Sequence, residues 1–558
     1  MERSGADILL DTLSAQGVDT IFGYPGGAVL DIFDALYARR DTLRLILTAH
    51  EQGAAHAADG YARSTGKTGV VLATSGPGAT NLITGIATAY LDSSPIVAIT
   101  GNVPRDLLGR DGFQEVNITR MTDPVVKANF MVRDASDMAD TVRRAFALAN
   151  SGRRRPVLID IPKDVAGTKL SAPEPIPAVE RFRAGRARHP ELEALRDAAS
   201  IIAEAKRPLI FAGGGVTYSG ASPELLSLAE KINAPICVTM MGISSVPYSC
   251  PFFLGMVGMH GSPTANLALR DCDALIAVGT RFSDRVAGNR ERFAANARII
   301  HMDIDPAELG KNVAADLTLA CDARDALRGL EALLPAGRHS EWLHSLLDHK
   351  AHNALPTGLS ERLTPHDIIT GLRRALGEEG IVVTDVGQHQ MWTAQYYRFM
   401  KPRSFVSSCG LGTMGFGMGA AIGAKAGNPD RPVALVTGDG SFHMNLNELA
   451  TAVTQKLPLL VLVMNNGVLG MVHQWQSLFY GGRYSQTVPE RPTDFVRLAE
   501  AFGARGYRLE HKKDIPDMFR EALASGETCV VDCRVDAAER VFPIIPPGRT
   551  EEDMIYCD

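Results

Sequence analysis

The feature that most constrains this chain is an internal repeat. Residues 69–102, GVVLATSGPGATNLITGIATAYLDSSPIVAITGN, can be laid against residues 432–465, PVALVTGDGSFHMNLNELATAVTQKLPLLVLVMN. Each unit reads as strand, G-x-G turn, amphipathic helix, Pro, strand, Asn. A short Val/Ile/Leu run closed by Gly and followed by a helical period is the pattern of a parallel strand with its crossover helix, so the fold class is α/β. In the second copy Leu446, Leu449, Ala450 and Val453 stand at i, i+3, i+4, i+7, and Pro458 ends that helix before the next strand. The copies are alike in build but not in chemistry. The first turns on Gly76-Pro77-Gly78; the second turns on Gly438-Asp439-Gly440 and ends in Asn465-Asn466.

Between the copies lies a third α/β segment with different punctuation. It opens with PLIFAGGG (208–215), Ser222-Pro223 is expected to cap a helix with Leu225, Leu228, Ala229 and Ile232 on its buried face, and later strands end at 277–282 and 301–305. The Pro- and charge-rich stretch 171–188 reads as a linker and 338–363 as a second, partly helical connector. The expectation is three doubly wound parallel-sheet domains near 1–170, 190–335 and 360–540, with a tail over 541–558. A length of 558 residues accommodates them at roughly 100–200 residues per domain.

Composition removes several function classes. With 57 Lys+Arg against 63 Asp+Glu the chain carries a net charge of −6 and no long run of one sign, which disfavours nucleic acid or an anionic membrane surface as partner. The longest apolar runs, such as 457–464, are strand-sized, far below the ~20 residues of a spanning helix. The first ten residues carry Glu2, Arg3 and Asp7, unlike a secretory signal, so the expected location is cytoplasmic. The eight cysteines are scattered, as reduced structural thiols would be.

The strongest chemical signal is Gly438-Asp439-Gly440 followed, after 24 residues, by Asn465-Asn466. Both ends come just after a predicted buried strand, hence at the carboxyl edge where open α/β sheets bind ligands. A carboxylate and an amide carbonyl are hard oxygen ligands for Mg²⁺, and the glycines let backbone approach a diphosphate. Either element alone would be an ordinary turn. A second constellation is TAHEQGAAHAADGYAR (48–63), where Glu51 follows the strand 43–47 and starts an Ala/Gly helix. A poorly solvated carboxylate there has a raised pKa and can share a proton with a bound base. In the middle segment Gly213-Gly214-Gly215, Gly258-Met259-His260-Gly261, Gly279-Thr280-Arg281, Asp303-Ile304 and Asp322-Ala323 read as a nucleotide cradle, glycine turns for phosphate and aspartates for ribose hydroxyls. Phe113, Gln114, Lys163, Met471, Val472 and Trp475 are substrate-side candidates. Gln114 can donate a hydrogen bond to a substrate oxygen, and Lys163 adds positive potential for an anionic group.

These residues resemble the thiamine-diphosphate enzymes and, within them, the acetolactate synthases, over nearly the whole chain. The stretch NNGVLGMVHQWQSLFYGGRY (465–484) carries the more specific part of that likeness. The resemblance implies Asp439, Asn466 and the Val468 carbonyl as Mg²⁺ ligands. It implies diphosphate and cofactor contacts from Gly387, Gln388, His389, Gln390, Gly412, Gly440, Ser441, Gly467, Leu469, Gly470 and Met471, with Met414 wedged under the bent cofactor. Glu51 would bond the aminopyrimidine ring nitrogen, and Trp475 would shape the pocket for a second 2-ketoacid. The middle cradle becomes a structural FAD site with Arg153 reaching in from the first domain. The implied reaction decarboxylates pyruvate and transfers the hydroxyethyl unit to pyruvate or 2-oxobutanoate, the first common step of branched-chain amino acid biosynthesis. The implied assembly is a homodimer or dimer of dimers, each site lying between the first domain of one subunit and the third of another, with a small regulatory subunit as a further partner. Ala49, Ser283, Cys321, Cys409 and Met418-Gly419 depart from the family pattern, and Ser283 and Cys321 weaken the flavin inference. A pyruvate oxidase, an FAD-free catabolic acetolactate synthase and a catalytically dead cofactor-binding protein are the alternatives.

Overall fold

The computed structural model describes residues 2–171, 189–337, 339–355 and 361–557. Most of the expected linker 171–188 therefore lies outside the described residues. Three six-stranded sheets, each with all its pairings parallel, form the molecule, and a two-stranded antiparallel ribbon joins Glu2–Ser4 to Lys169–Ser171. The fold class is the expected one.

The first sheet runs Arg44–Leu47, Thr20–Gly23, Gly69–Ala73, Ile96–Asn102, Val157–Pro162, Ala128–Met131 across its width. The third runs Phe405–Ser407, Ile381–Thr384, Val433–Gly438, Leu460–Asn465, Cys529–Arg534, Arg505–Leu509. Numbered along the chain within each sheet, both orders are 2-1-3-4-6-5, and the repeat supplies strands 3 and 4 of each. The middle sheet, Phe253–Met256, Ile236–Val238, Pro208–Ala212, Ala274–Val278, Arg298–Asp303, Leu317–Ala320, has the order 3-2-1-4-5-6. In each sheet the order reverses beside strand 1, which opens a crevice at the carboxyl edge. The buried strands are almost entirely apolar, as sheets covered on both faces require.

The first and third sheets share a core. Helix Glu51–Thr65 and helix Phe416–Gly427 each follow strand 2 of their sheet, and they cross in direct backbone contact. A Cβ on Gly60 would stand 2.1 Å from the Ala420 carbonyl oxygen, and one on Gly423 1.8 Å from that of Ala57. Only glycine permits this approach. His56, buried in the same crossing, packs edge-on against Phe416 at 5.3 Å.

Local readings changed in two places. The amphipathic segment of the second repeat copy is a 3-10 turn, Leu446–Glu448, leading into helix Leu449–Thr454. The helix Ser222–Ile232 buries Leu225, Leu228, Ala229 and Ile232, but Ser222 is not its cap; it lies inside the first turn with its hydroxyl buried and unpaired, while Pro223 needs no partner there. The residues expected as a tail run back over the molecule: Val541 exchanges two hydrogen bonds with Gln474, and Ile545 donates to the Met259 carbonyl. All eight cysteines are free thiols.

Candidate active site

At the crevice of the third sheet the ends of Ile381–Thr384 and Val433–Gly438 lie side by side. His389 is buried between Gly387 and Gly438, either of which would place a Cβ within 3 Å of its ring. Burial holds its imidazole neutral, with a pKa lowered to about 3, and its Nε2 has no hydrogen-bond partner among the described residues. Asp439 follows immediately. It is buried, no Lys or Arg among the described residues pairs with it, and burial pushes its carboxyl up to about 6. An uncompensated buried carboxylate beside an unpaired buried imidazole at a sheet edge fits a cation carrying an anionic group.

The Asn466 side-chain amide is oriented by its neighbours. Asn466 donates Nδ2–H to Gln388 Oε1 at 3.2 Å, and its Oδ1 accepts the Val468 N–H at 3.2 Å, so both ends of the amide are fixed. Asn465 is held in turn by Asp532, 2.8 Å away. Gln388 spends its NH₂ on Gln474 and the Glu539 carbonyl, Gln390 spends its own on Ser407 and Ser408, and Ser441 donates to the Val386 carbonyl. These three side chains therefore brace the cradle. Gly440 packs under Leu469, Gly470 against Gln388, and Gly467 turns the chain with φ +71°.

Asp385, absent from the sequence reading, organises the same crevice. Its buried carboxylate accepts the N–H groups of Val386, Gly415 and Gly417 and the Thr437 hydroxyl, and burial pushes it up to about 6. This ties the turn bearing Met414 to both strands of the crevice. The only local signal was an Asp after a strand and before Val-Gly, which is too common to single out.

The first sheet's crevice collects a different set. Glu51 is half-buried, its Oε2 accepts from Asn81 Nδ2 at 3.0 Å, and a Cβ on Gly78 would stand 3.2 Å from its Oε1. Gln114, at φ +59°, packs its backbone onto Gly76. The undecorated Gly76-Pro77-Gly78 turn is thus the floor beneath Glu51 and Gln114. Phe113 beside them is 89% exposed, and Lys163 is exposed at the end of strand Val157–Pro162. The helix-start Glu51 is less enclosed within one chain than its Ala/Gly surroundings suggested.

A cavity of about 960 Å³ joins the middle and third sheets. From the middle segment it is lined by Gly214, Gly215, Met259, His260, Gly279, Thr280, Arg281, Asp303, Ile304, Asp322 and Ala323, with Arg153 from the first. From the third come Gly387, Gln390, Gly412, Met414, Met471, Val472 and Trp475. Gly213, Gly258 and Gly261 stand behind this wall: a Cβ on Gly213 would meet the Gly279 carbonyl at 2.2 Å, so the two crevice turns interlock. The Thr280 hydroxyl is buried without a partner, and burial pushes the Asp303 carboxyl up to about 6. These features fit a nucleotide. Arg153 is bonded to Glu308 at 2.6 Å, Asp305 and Ser93, whereas the neighbouring Arg154 lines the cavity with Tyr218 and Asp322 as its electrostatic neighbours. Glu51, Gln114, Phe113 and Lys163 do not line this cavity.

Three regions match thiamine pyrophosphate enzyme families: residues 3–121 the N-terminal TPP binding domain, 195–330 the central domain and 385–533 the C-terminal TPP binding domain. The chain is 46% identical to a probable acetolactate synthase large subunit of Methanocaldococcus jannaschii, covering 98% of this chain and 94% of that one. It is 41% identical to the acetolactate synthase isozyme 3 large subunit of Escherichia coli (99% and 98%) and 44% identical to an acetolactate synthase of Mycobacterium bovis (99% and 91%). With three family-model regions in order along the sequence and this identity over almost the whole length, the chain belongs to the acetolactate synthase large subunits of the thiamine pyrophosphate enzyme family.

Proposed function

We propose that the protein is a thiamine-diphosphate- and Mg²⁺-dependent acetolactate synthase that converts two pyruvates into 2-acetolactate and carbon dioxide, and pyruvate plus 2-oxobutanoate into 2-aceto-2-hydroxybutyrate. The observation that carries this reading is the pairing of Asp439, buried and uncompensated, with an oriented Asn466 amide at the third sheet's crevice. Asp439, Asn466 Oδ1 and the Val468 carbonyl would hold Mg²⁺ and through it the diphosphate, with the neutral His389 Nε2 free to meet it. When bound, thiamine diphosphate supplies a nucleophilic carbon and the electron sink that decarboxylation needs. Glu51 would exchange a proton with the aminopyrimidine ring nitrogen, with Asn81 holding its Oε2. Gln114 donates to the keto oxygen, Lys163 attracts the carboxylate, and Met471, Val472, Trp475 and Phe113 bound the acceptor pocket.

Because Glu51, Gln114 and Lys163 stand apart from the cavity that Met414 and Trp475 line, the reading makes the working unit a homodimer, or a dimer of such dimers, in which one chain's Glu51 serves another chain's cradle. FAD would occupy the middle cavity as a structural group, since carboligation transfers no net electrons. The relatives' designation as large subunits supports a small regulatory partner. Among the described residues no helix is long and apolar enough to cross a membrane, and the location in this reading is the cytoplasm.

The test is product analysis of purified protein with pyruvate, Mg²⁺ and thiamine diphosphate, with and without FAD. Acetolactate without matching peroxide supports the synthase; acetate with peroxide makes it an oxidase, and acetaldehyde alone a decarboxylase.

A further inference from the structure

We infer that Glu448 is a positioning residue for Glu51: its carboxylate, carried by the third sheet's segment, clamps the two backbone N–H groups that precede Glu51 in the first. Glu448 ends the 3-10 turn Leu446–Glu448 and is fully buried. Its Oε1 accepts the His50 N–H at 3.0 Å, and its Oε2 accepts the Ala49 N–H at 3.2 Å and the Thr451 hydroxyl at 2.6 Å. The clamp therefore spans 398 residues of sequence. Gly53 makes room for it, since a Cβ there would stand 2.1 Å from Glu448 Oε1.

The physical logic is that of a helix start. Helix Glu51–Thr65 begins with backbone donors that have no partner inside the helix, and the His50 ring satisfies one of them by accepting from Gln52. Glu448 satisfies the two donors just upstream with a carboxyl acceptor whose pKa burial raises and whose bonds from Thr451, Ala49 and His50 oppose that rise, at the end of the helix that favours negative charge. Every residue from 49 to 52 is then pinned or adjacent to a pinned one, so the position of the Glu51 carboxyl against Asn81 and Gly78 is set from another sheet. The same stretch of chain carries Asp439 nine residues earlier, so in the proposed dimer one segment would hold the cation of one site and brace the proton-exchanging carboxylate that serves the other. A displacement of about 1 Å at such a group can cost ~100-fold in rate.

This inference rests on the role given to Glu51, and the experiment separates the two. In cofactor-free protein, amide hydrogen–deuterium exchange over residues 48–53 is expected to accelerate at least about tenfold in Glu448→Ala. In the holoenzyme at saturating thiamine diphosphate and Mg²⁺, exchange of the cofactor's C2 proton, followed by quenched-flow NMR, is expected to slow at least about tenfold while cofactor affinity stays within about threefold. Glu448→Gln, which keeps one acceptor oxygen, is expected to fall between wild type and Glu448→Ala. Gly53→Ala, which pushes the carboxylate away while leaving it in the chain, should reproduce the defect and serves if Glu448→Ala does not fold. Unchanged amide exchange, or accelerated amide exchange with unchanged C2 exchange, overturns the inference. If Glu51→Gln itself leaves C2 exchange at the wild-type rate, the reading of Glu51 is what has failed.

Discussion

The first and third sheets are one scaffold used twice, and the comparison shows how little of a scaffold its chemistry occupies. Both have the strand order 2-1-3-4-6-5, both open a crevice between strands 1 and 3, and both send a glycine-marked helix from strand 2 into the shared crossing. They differ in the few residues at the crevice. The third sheet places its carboxylate on the strand 3 turn, as Asp439, whereas the first leaves that turn as Gly76-Pro77-Gly78 and brings Glu51 to it from the helix after strand 2. In the proposed function one crevice serves a cation and the other a proton. Backbone geometry was duplicated, and function was assigned by side chains at the point where the strand order reverses.

The sharpest way to break this comparison is to remove one carboxylate at a time. Glu51→Gln is expected to lower kcat by ~10²–10⁴-fold with cofactor affinity nearly intact, because it removes a proton acceptor and not a ligand. Asp439→Asn should instead raise the Mg²⁺ and thiamine diphosphate concentrations needed for half-saturation, read by titration. If both variants lost affinity alike, the division of labour would be wrong. Mixed dimers of the two should recover one intact site, and an inactive verified heterodimer would sink the shared-site reading.

The joint between the sheets is the next target. Gly423→Ala drives a Cβ into the Ala57 carbonyl and is expected to destabilise by about 3 kcal/mol, lowering the thermal midpoint, since neither helix can yield without moving its sheet. Gly503→Ala, at an open turn of the third sheet where the nearest atom to a Cβ lies 3.4 Å away, should cost less in spite of its positive φ.

A smaller effect comes from His56 in that crossing. Burial lowers its pKa to about 3, below the 6.5 of an exposed histidine, so the folded protein holds it neutral and the unfolded chain takes up its proton first. Its stability contribution is complete above pH 6.5 and is lost as the pH falls toward 3; at pH 5 about 2 kcal/mol is gone. Denaturant midpoints of wild type and His56→Gln should converge between pH 7 and 5, and parallel curves would refute the assignment. The least effect is expected on specificity: Trp475→Leu should change the preference between pyruvate and 2-oxobutanoate as acceptor by about tenfold, measured by competition between the two.

Much of this was legible locally. The strands around 69–73, 433–438 and 460–465 are apolar runs bounded by Gly and Pro, and their repeat fixes two like sheets, because periodicity and turn chemistry act over a few residues. Asp439, Asn466 and Glu51 stood out because each follows a strand. Asn81 and Glu448 did not, and Asp385 offered only the common signal of an Asp after a strand: each acts through hydrogen bonds to residues 30 or more positions away. Nor could the sequence tell that Gln388 and Gln390 spend their amides inside the protein, or that Arg153 is consumed by Glu308 while Arg154 faces the cavity.

The sequence by itself determined the α/β class, the duplicated sheets and the residue types at each strand end, because those follow from short-range sterics and hydrophobic period. Only the tertiary structure decided which carboxylates stay uncompensated, which amides are oriented, and that the backbone N–H groups just before Glu51 are held by Glu448 of the third sheet's segment. Burial and hydrogen-bond partnership depend on segments hundreds of residues apart meeting in space, and no local pattern encodes that meeting.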